Sequence, residues 1–178
     1  VLGLKDDGYH EVKTVLQTVN LSDQIDIQPG PNLKVECDAP GLDGEANLVW
    51  RAAVELAKSR GIRPEARIMI RKRIPVGMGL GGGSSDAAAA LVGLNKLWNL
   101  GLDPEELTQI AAGLGSDVPF FLRGGTALAE GQGEEISPLP SLPPLGVLLI
   151  CPSETIPDKT ATLFSRLTTG HYSDGGVT

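Results

Sequence analysis

Pro75, Val76, Gly77, Met78, Gly79, Leu80, Gly81, Gly82, Gly83, Ser84 and Ser85 form a run in which seven of eleven residues are glycine or serine. Glycine lets backbone N–H groups approach an anion without Cβ obstruction and reaches positive φ at little cost. The residues that follow, from Asp86 onward, read as a helix, and a helix N-terminus adds free N–H groups and a favourable dipole for phosphate. Ser84 and Ser85 add hydroxyl donors at that helix start. The run therefore reads as a phosphate cradle; a mobile glycine linker is disfavoured because a strand precedes it and a helix follows.

Three familiar phosphate loops can be tested by their surroundings. Gly77, Gly79 and Gly82 satisfy G-x-G-x-x-G, but the dinucleotide-binding version needs an acidic residue about 20 positions on, after a second strand. Here a second helix follows instead. The Walker A version requires Gly-Lys-Ser/Thr, and the run contains no lysine. The protein-kinase version joins two strands, whereas this one feeds a helix.

Other residues carry chemistry around the loop. Asp117 follows Gly115-Ser116 and precedes the apolar Val118-Pro-Phe-Phe121; its type and place fit an N-cap. Lys72 alternates with Ile68, Ile70 and Ile74 on the apolar face of its strand. It either reaches bound phosphate or snorkels from a strand end. Asn47 has the place of a helix N-cap. Tyr9 and His10 follow a turn at Asp6-Asp7-Gly8, and Phe164 lies in Lys159-Thr-Ala-Thr-Leu-Phe164, where a helix-core role also fits. Asp86, Ser84 and Ser85 are near enough in sequence to be weighed as magnesium ligands, and nothing selects among them.

These residues need a scaffold. Residues 11–21 alternate as a strand, followed by strands at Gln24–Gln28 and Leu33–Cys37 about a turn at 29–32. Asn47 opens a helix with the seam Leu48, Val49, Ala52, Ala53, Leu56 and Ala57, stopped by Gly61. Arg67–Ile74 is a strand, and Asp86–Trp98 a helix. Asp103-Pro-Glu-Glu106 starts another helix by its N-cap, early proline and capping-box glutamate, with Leu107, Ile110, Ala111 and Leu114 inward. A short element begins near Asp117, and a hairpin is predicted over 121–136. The Pro-rich stretch 138–144 marks a linker, after which Gly146–Cys151 reads as a buried strand with Cys151 in the core. Polar residues 171–178 read as a frayed end.

At 178 residues with 41% hydrophobic and 21% charged residues, the chain is long enough for a full core, which must be aliphatic because aromatics make up only 4%. The net charge of −7 and the absence of a basic patch disfavour nucleic acid. Cys37 and Cys151 are the only cysteines and lack metal-ligand spacing, which favours a reducing cytoplasm over a disulfide framework. No apolar run reaches membrane-spanning length, and no signal peptide is expected. Because the sequence begins at Val1 rather than Met, preceding residues are expected.

The loop with its alanine-rich helix, together with Asp7-Gly-Tyr-His-Glu11, Asn47-Leu-Val49 and Gly115-Ser-Asp-Val-Pro-Phe-Phe121, resembles the GHMP kinases over residues 1 to about 165. It is most similar to members acting on cytidine diphosphate methylerythritol. The resemblance implies an α+β, two-domain fold. Residues 1–140 would form the ATP-binding domain, with a mixed β-sheet and helices, and residues 141–178 the beginning of a ferredoxin-like C-terminal domain. It implies ATP and Mg²⁺ as cofactors, a bacterial cytoplasmic setting, and transfer of a phosphoryl group to the 2-hydroxyl of the substrate. By that resemblance Asp117 takes the catalytic position, accepting or orienting the proton of the substrate hydroxyl, Asn47 an adenine contact, Tyr9 and His10 the cytosine contacts, and Phe164 the far side of that base. Two family elements are not in the sequence: a Lys-x-Asn before Val1 and a glycine- and serine-rich turn in the C-terminal domain. An inactive nucleotide-binding fragment, or a kinase of another small alcohol, are the rival readings.

Overall fold

Asn47 shows how locally encoded the helices are. Its side chain accepts from the Val49 N–H at 2.9 Å and donates to the Leu42 carbonyl at 2.8 Å, capping helix α1 (Leu48–Ser59). At the other end, Gly61 adopts φ +62° while the Ile62 N–H bonds to Ala57 O and the Gly61 N–H to Lys58 O. That Schellman pair ends the helix at the expected glycine. The computed structural model describes residues 1–6, 8–152 and 159–176; Asp7 of the turn before Tyr9 lies outside them.

Two units are distinguished, residues 20–123 and, discontinuously, 1–19 with 124–178. The first holds strands β4 (Gln24–Gln28), β5 (Lys34–Cys37) and β6 (Arg67–Arg71) and helices α1, α2 (Gly82–Leu97), α3 (Pro104–Leu114) and α4 (Val118–Arg123). Its sheet runs β4-β6-β5: β4 pairs antiparallel with β6, and β5 pairs parallel with β6 through the crossover helix α1. The mixed sheet arises because a tight turn joins nothing to β6 directly; a parallel partner needs the long excursion that α1 fills.

The core is aliphatic. Ile68 and Ile70 of β6 and Val35 of β5 are buried with Val49, Ala52, Ala53 and Leu56 of α1 and Ala87, Ala90, Leu91 and Leu94 of α2. Alanines on both helices let α1 and α2 pack together. Helix α2 also comes close to β4: a Cβ on Gly93 would stand 2.5 Å from Ile27 Cδ1. Helix α3 carries the full capping box, with Asp103 accepting from the Glu106 N–H and Glu106 from that of Asp103.

The second unit contains β1 (Gly3–Leu4) paired with β2 (His10–Glu11), and the antiparallel sheet β3 (Thr14–Gln17), β7 (Thr126–Glu130), β8 (Glu135–Pro138) in the order β3-β7-β8. Helix α5 (Lys159–Phe164) follows. The chain leaves this unit after Val19 and returns at Gly124. There the Thr18 N–H bonds to Gly125 O and the Gly125 N–H to Thr18 Oγ1, both at 3.0 Å.

Several expectations are corrected. The strand read over 11–21 is two short pieces, β2 and β3, because each pairs with a different partner. The strand read to Ile74 ends at Arg71, where Asp38 and Asp23 side chains take over the backbone amides of residues 72–74. Helix α2 starts at Gly82 rather than Asp86, and residues 121–123 belong to α4 rather than a hairpin. Gly146–Cys151 carries no regular structure; Leu148 and Ile150 are 84% and 83% exposed, and Cys151 is exposed. Its apolar run has no sheet to join among the described residues. No helix among them is long and apolar enough to cross a membrane.

Candidate functional site

The glycine run leaves β6 and enters α2 through alternating backbone signs. Gly77, Gly79 and Gly81 have φ of +74°, +79° and +68°, while Met78 and Leu80 between them keep negative φ. Such alternation is how backbone amides are gathered into an anion-binding concavity. Gly81 is the N-cap of α2, its carbonyl accepting the Ser85 N–H at 2.8 Å. The N–H groups of Gly81, Gly82, Gly83 and Ser84 have no partners inside the helix by its geometry. Gly82, Gly83, Ser84 and Ser85 form the first turn, and Ser85 Oγ donates to Gly82 O at 2.9 Å. Pro75 and Leu80 are half-buried, Val76 and Gly77 exposed.

Helix α4 fixes the exit of the loop. A Cβ on Gly81 would lie 2.6 Å from Phe121 Cζ, so only glycine admits the ring of α4 at this point. Asp117 immediately precedes α4 and is exposed, and α4 packs on α2. The candidate proton acceptor therefore heads the segment that seats against the loop.

Behind the loop lies a charged cluster. Lys72 Nζ donates to Asp23 Oδ2 at 2.5 Å and to Asp86 Oδ2 at 2.7 Å, with side-chain exposures of 8%, 2% and 5%. Asp23 Oδ1 also accepts the backbone N–H groups of Arg73 and Ile74, at 2.5 and 2.8 Å. Burial pushes the Asp86 carboxyl up to about 6, against the pull of Lys72. Asp23 is held below the usual carboxylate range: burial opposes this, but the Lys72 ammonium and the two amides prevail. The same two carboxylates raise the Lys72 ammonium above its ordinary value despite burial. Of the two readings for Lys72, the apolar-face position is observed, but its ammonium is bonded to carboxylates inside the fold.

In the other unit, His10 sits beside Phe164 with ring centroids 5.0 Å apart and an interplanar angle of 50°, and meets Tyr172 edge-on at 6.1 Å. Tyr9 is 60% exposed. The structure brings His10 directly against Phe164 and adds Tyr172. No sequence spacing pointed to Tyr172, which lies in the polar tail. Asp23 was equally unmarked, being 49 residues from Lys72. Asp86 and Lys72 did carry a signal, each being a charge on an apolar face. Among the described residues no group of three His, Cys, Asp or Glu side chains is placed to hold a metal.

Residues 47–125 match the GHMP kinases N terminal domain. The chain is 52% identical over 157 residues to a 4-diphosphocytidyl-2-C-methyl-D-erythritol kinase of Pelotomaculum thermopropionicum, covering 85% of this chain and 54% of that protein. It is 42% identical over 178 residues to the enzyme of the same name from Dehalococcoides mccartyi, covering 99% and 63%. The chain thus spans somewhat over half the length of these relatives. A solved 4-(cytidine 5'-diphospho)-2C-methyl-D-erythritol kinase superposes with a TM-score of 0.67 at 41% identity, over 78% of this chain and 50% of that one. A homoserine kinase from Cytophaga hutchinsonii shares the fold alone, with a TM-score of 0.56 at 19% identity.

Proposed function

We propose that this chain, whose residues 47–125 match the GHMP kinases N terminal domain, is the ATP-binding part of a kinase acting on 4-diphosphocytidyl-2-C-methyl-D-erythritol. The observation that carries this reading is the loop itself: three positive-φ glycines running into the N-terminus of a sixteen-residue helix, with the segment headed by Asp117 seated against it.

In this reading the loop amides and the first turn of α2 hold the triphosphate, and Asn47 contacts adenine beside its capping role. The Asp117 carboxylate takes the proton of the substrate 2-hydroxyl as that oxygen attacks the γ-phosphorus and ADP departs. Positioning and electrostatic stabilisation supply most of the rate. Magnesium, bound with the triphosphate, would neutralise charge on its oxygens, with Ser84, Ser85 and Asp86 the residues near enough in sequence to hold it. His10, Tyr9 and Phe164 receive the cytosine. Residues 1–140 serve as the ATP-binding domain and 141–178 begin the next one, in a cytoplasmic protein.

ADP release by the full-length protein tests the reading. Turnover should rise when the cytidine diphosphate substrate is added and stay at background with mevalonate. Stimulation by mevalonate alone would assign the chain to another alcohol.

A further inference from the structure

The seven-residue loop 75–81 has two ends, and one buried cluster holds both. At the entry, Asp23 Oδ1 accepts the Arg73 and Ile74 N–H groups, and Lys72 is the residue that follows β6. At the exit, Asp86 stands in α2 one turn beyond Gly82. Lys72 Nζ bonds Asp23 on one side and Asp86 on the other. The ends also touch: a Cβ on Gly82 would meet Ile74 Cγ2 at 3.0 Å and Lys72 Nζ at 3.2 Å. All three charged side chains are more than nine-tenths buried.

We infer that Asp23, Lys72 and Asp86 are positioning residues that clasp the two ends of the phosphate loop, so that Lys72 acts on nucleotide through the loop backbone and not by touching phosphate. The inference rests on the loop's reading as the ATP site. A flexible loop must be ordered when ligand arrives, and that ordering weakens binding; a loop closed at its base by an ion cluster is ordered in advance. Buried ion pairs are poor stabilisers compared with apolar packing. Their presence at this point therefore calls for a geometric role, and holding two chain ends at one distance supplies it. The alanine-lined core beside them needs no charge.

The test uses the full-length protein, with Lys72→Met and Asp23→Asn. The second is nearly isosteric, retaining an oxygen for the two backbone amides while removing the lysine's acceptor. Two quantities are read: amide hydrogen exchange of 75–85, with 104–114 of α3 as the internal reference, and the dissociation constant of ATP by calorimetry alongside kcat. The expected result is exchange of 75–85 faster by about tenfold, ATP binding weaker by about tenfold, and kcat at saturating ATP changed less than twofold. The α3 reference should stay protected. Unaltered exchange and ATP affinity in Asp23→Asn would overturn the inference, as would a loss confined to kcat, which would make Lys72 a transition-state contact. If Lys72→Met loses protection throughout, Asp23→Asn decides alone; global loss in both variants would make the cluster a core element and also overturn it. Faster loop exchange in a protein whose wild type binds no ATP would keep the clasp and refute the ATP reading.

Discussion

Gly81→Ala is the substitution whose cost can be worked most fully from the structure. Gly81 holds φ +68°, a conformation that costs an L-residue about 1–2 kcal/mol. The added methyl would stand 2.6 Å from Phe121 Cζ and 2.7 Å from Cε2. A rigid ring seated in a packed interface relieves such overlap only by shifting, at about 1–3 kcal/mol. Alanine is also a poorer N-cap than glycine. The sum is a loss of about 2–5 kcal/mol, measurable by urea unfolding of the full-length protein. Phe121→Leu shortens the offending group, so the double variant should recover the steric part and leave the backbone part. A coupling energy of about 1–3 kcal/mol between the two sites is expected. A Gly81→Ala loss below about 0.5 kcal/mol, or purely additive single variants, would refute the argument that α4 dictates glycine here.

Asp117→Asn should lower kcat by orders of magnitude with ATP affinity little changed; steady-state kinetics with calorimetry would check it, and an unaltered kcat removes Asp117 from the mechanism. Asn47→Ala loses both the Val49 amide's acceptor and the Leu42 carbonyl's donor, and should destabilise by about 1–2 kcal/mol in a melt. Asn47→Asp, which keeps the acceptor, should lose less. For Asp86, whose folded-state carboxyl lies near 6 against an ordinary 3.8, the protonated form is favoured by folding. Its contribution is full below 3.8 and lost as pH rises through 6. Relative to Asp86→Asn, the wild type should therefore gain about 2 kcal/mol between pH 7 and 4.5; a flat difference between the two unfolding curves would contradict the burial of this group.

What could be read in advance was what is encoded locally. Asn47, Asp103 with Glu106, and Gly61 announced the ends of α1 and α3 because caps act within four residues. The 24–28 strand stood out between turn residues. The start of α2 did not, since Gly82 to Ser85 are poor helix formers; the left-handed Gly81 and the packing of α4 set it. Likewise the alternation over 11–21 could not say that its residues divide between two partners. The glycine loop stood out from composition, yet Asp23 did not, because nothing short of the fold brings it to Lys72. The apolar run 146–151 misled for a related reason: hydrophobicity records a tendency to be covered, and the cover must come from elsewhere.

The Thr18–Gly125 hydrogen bonds give residues 20–123 a single doorway. Everything between is one uninterrupted insert, and the pairing of β3 with β7 must close a loop of that whole length. For an unstructured segment of about a hundred residues the length-dependent closure entropy alone costs roughly 4 kcal/mol. An insert already folded presents its two ends as a fixed short gap and removes much of that cost. The pairing of β3 with β7 therefore carries little closure cost once residues 20–123 have folded.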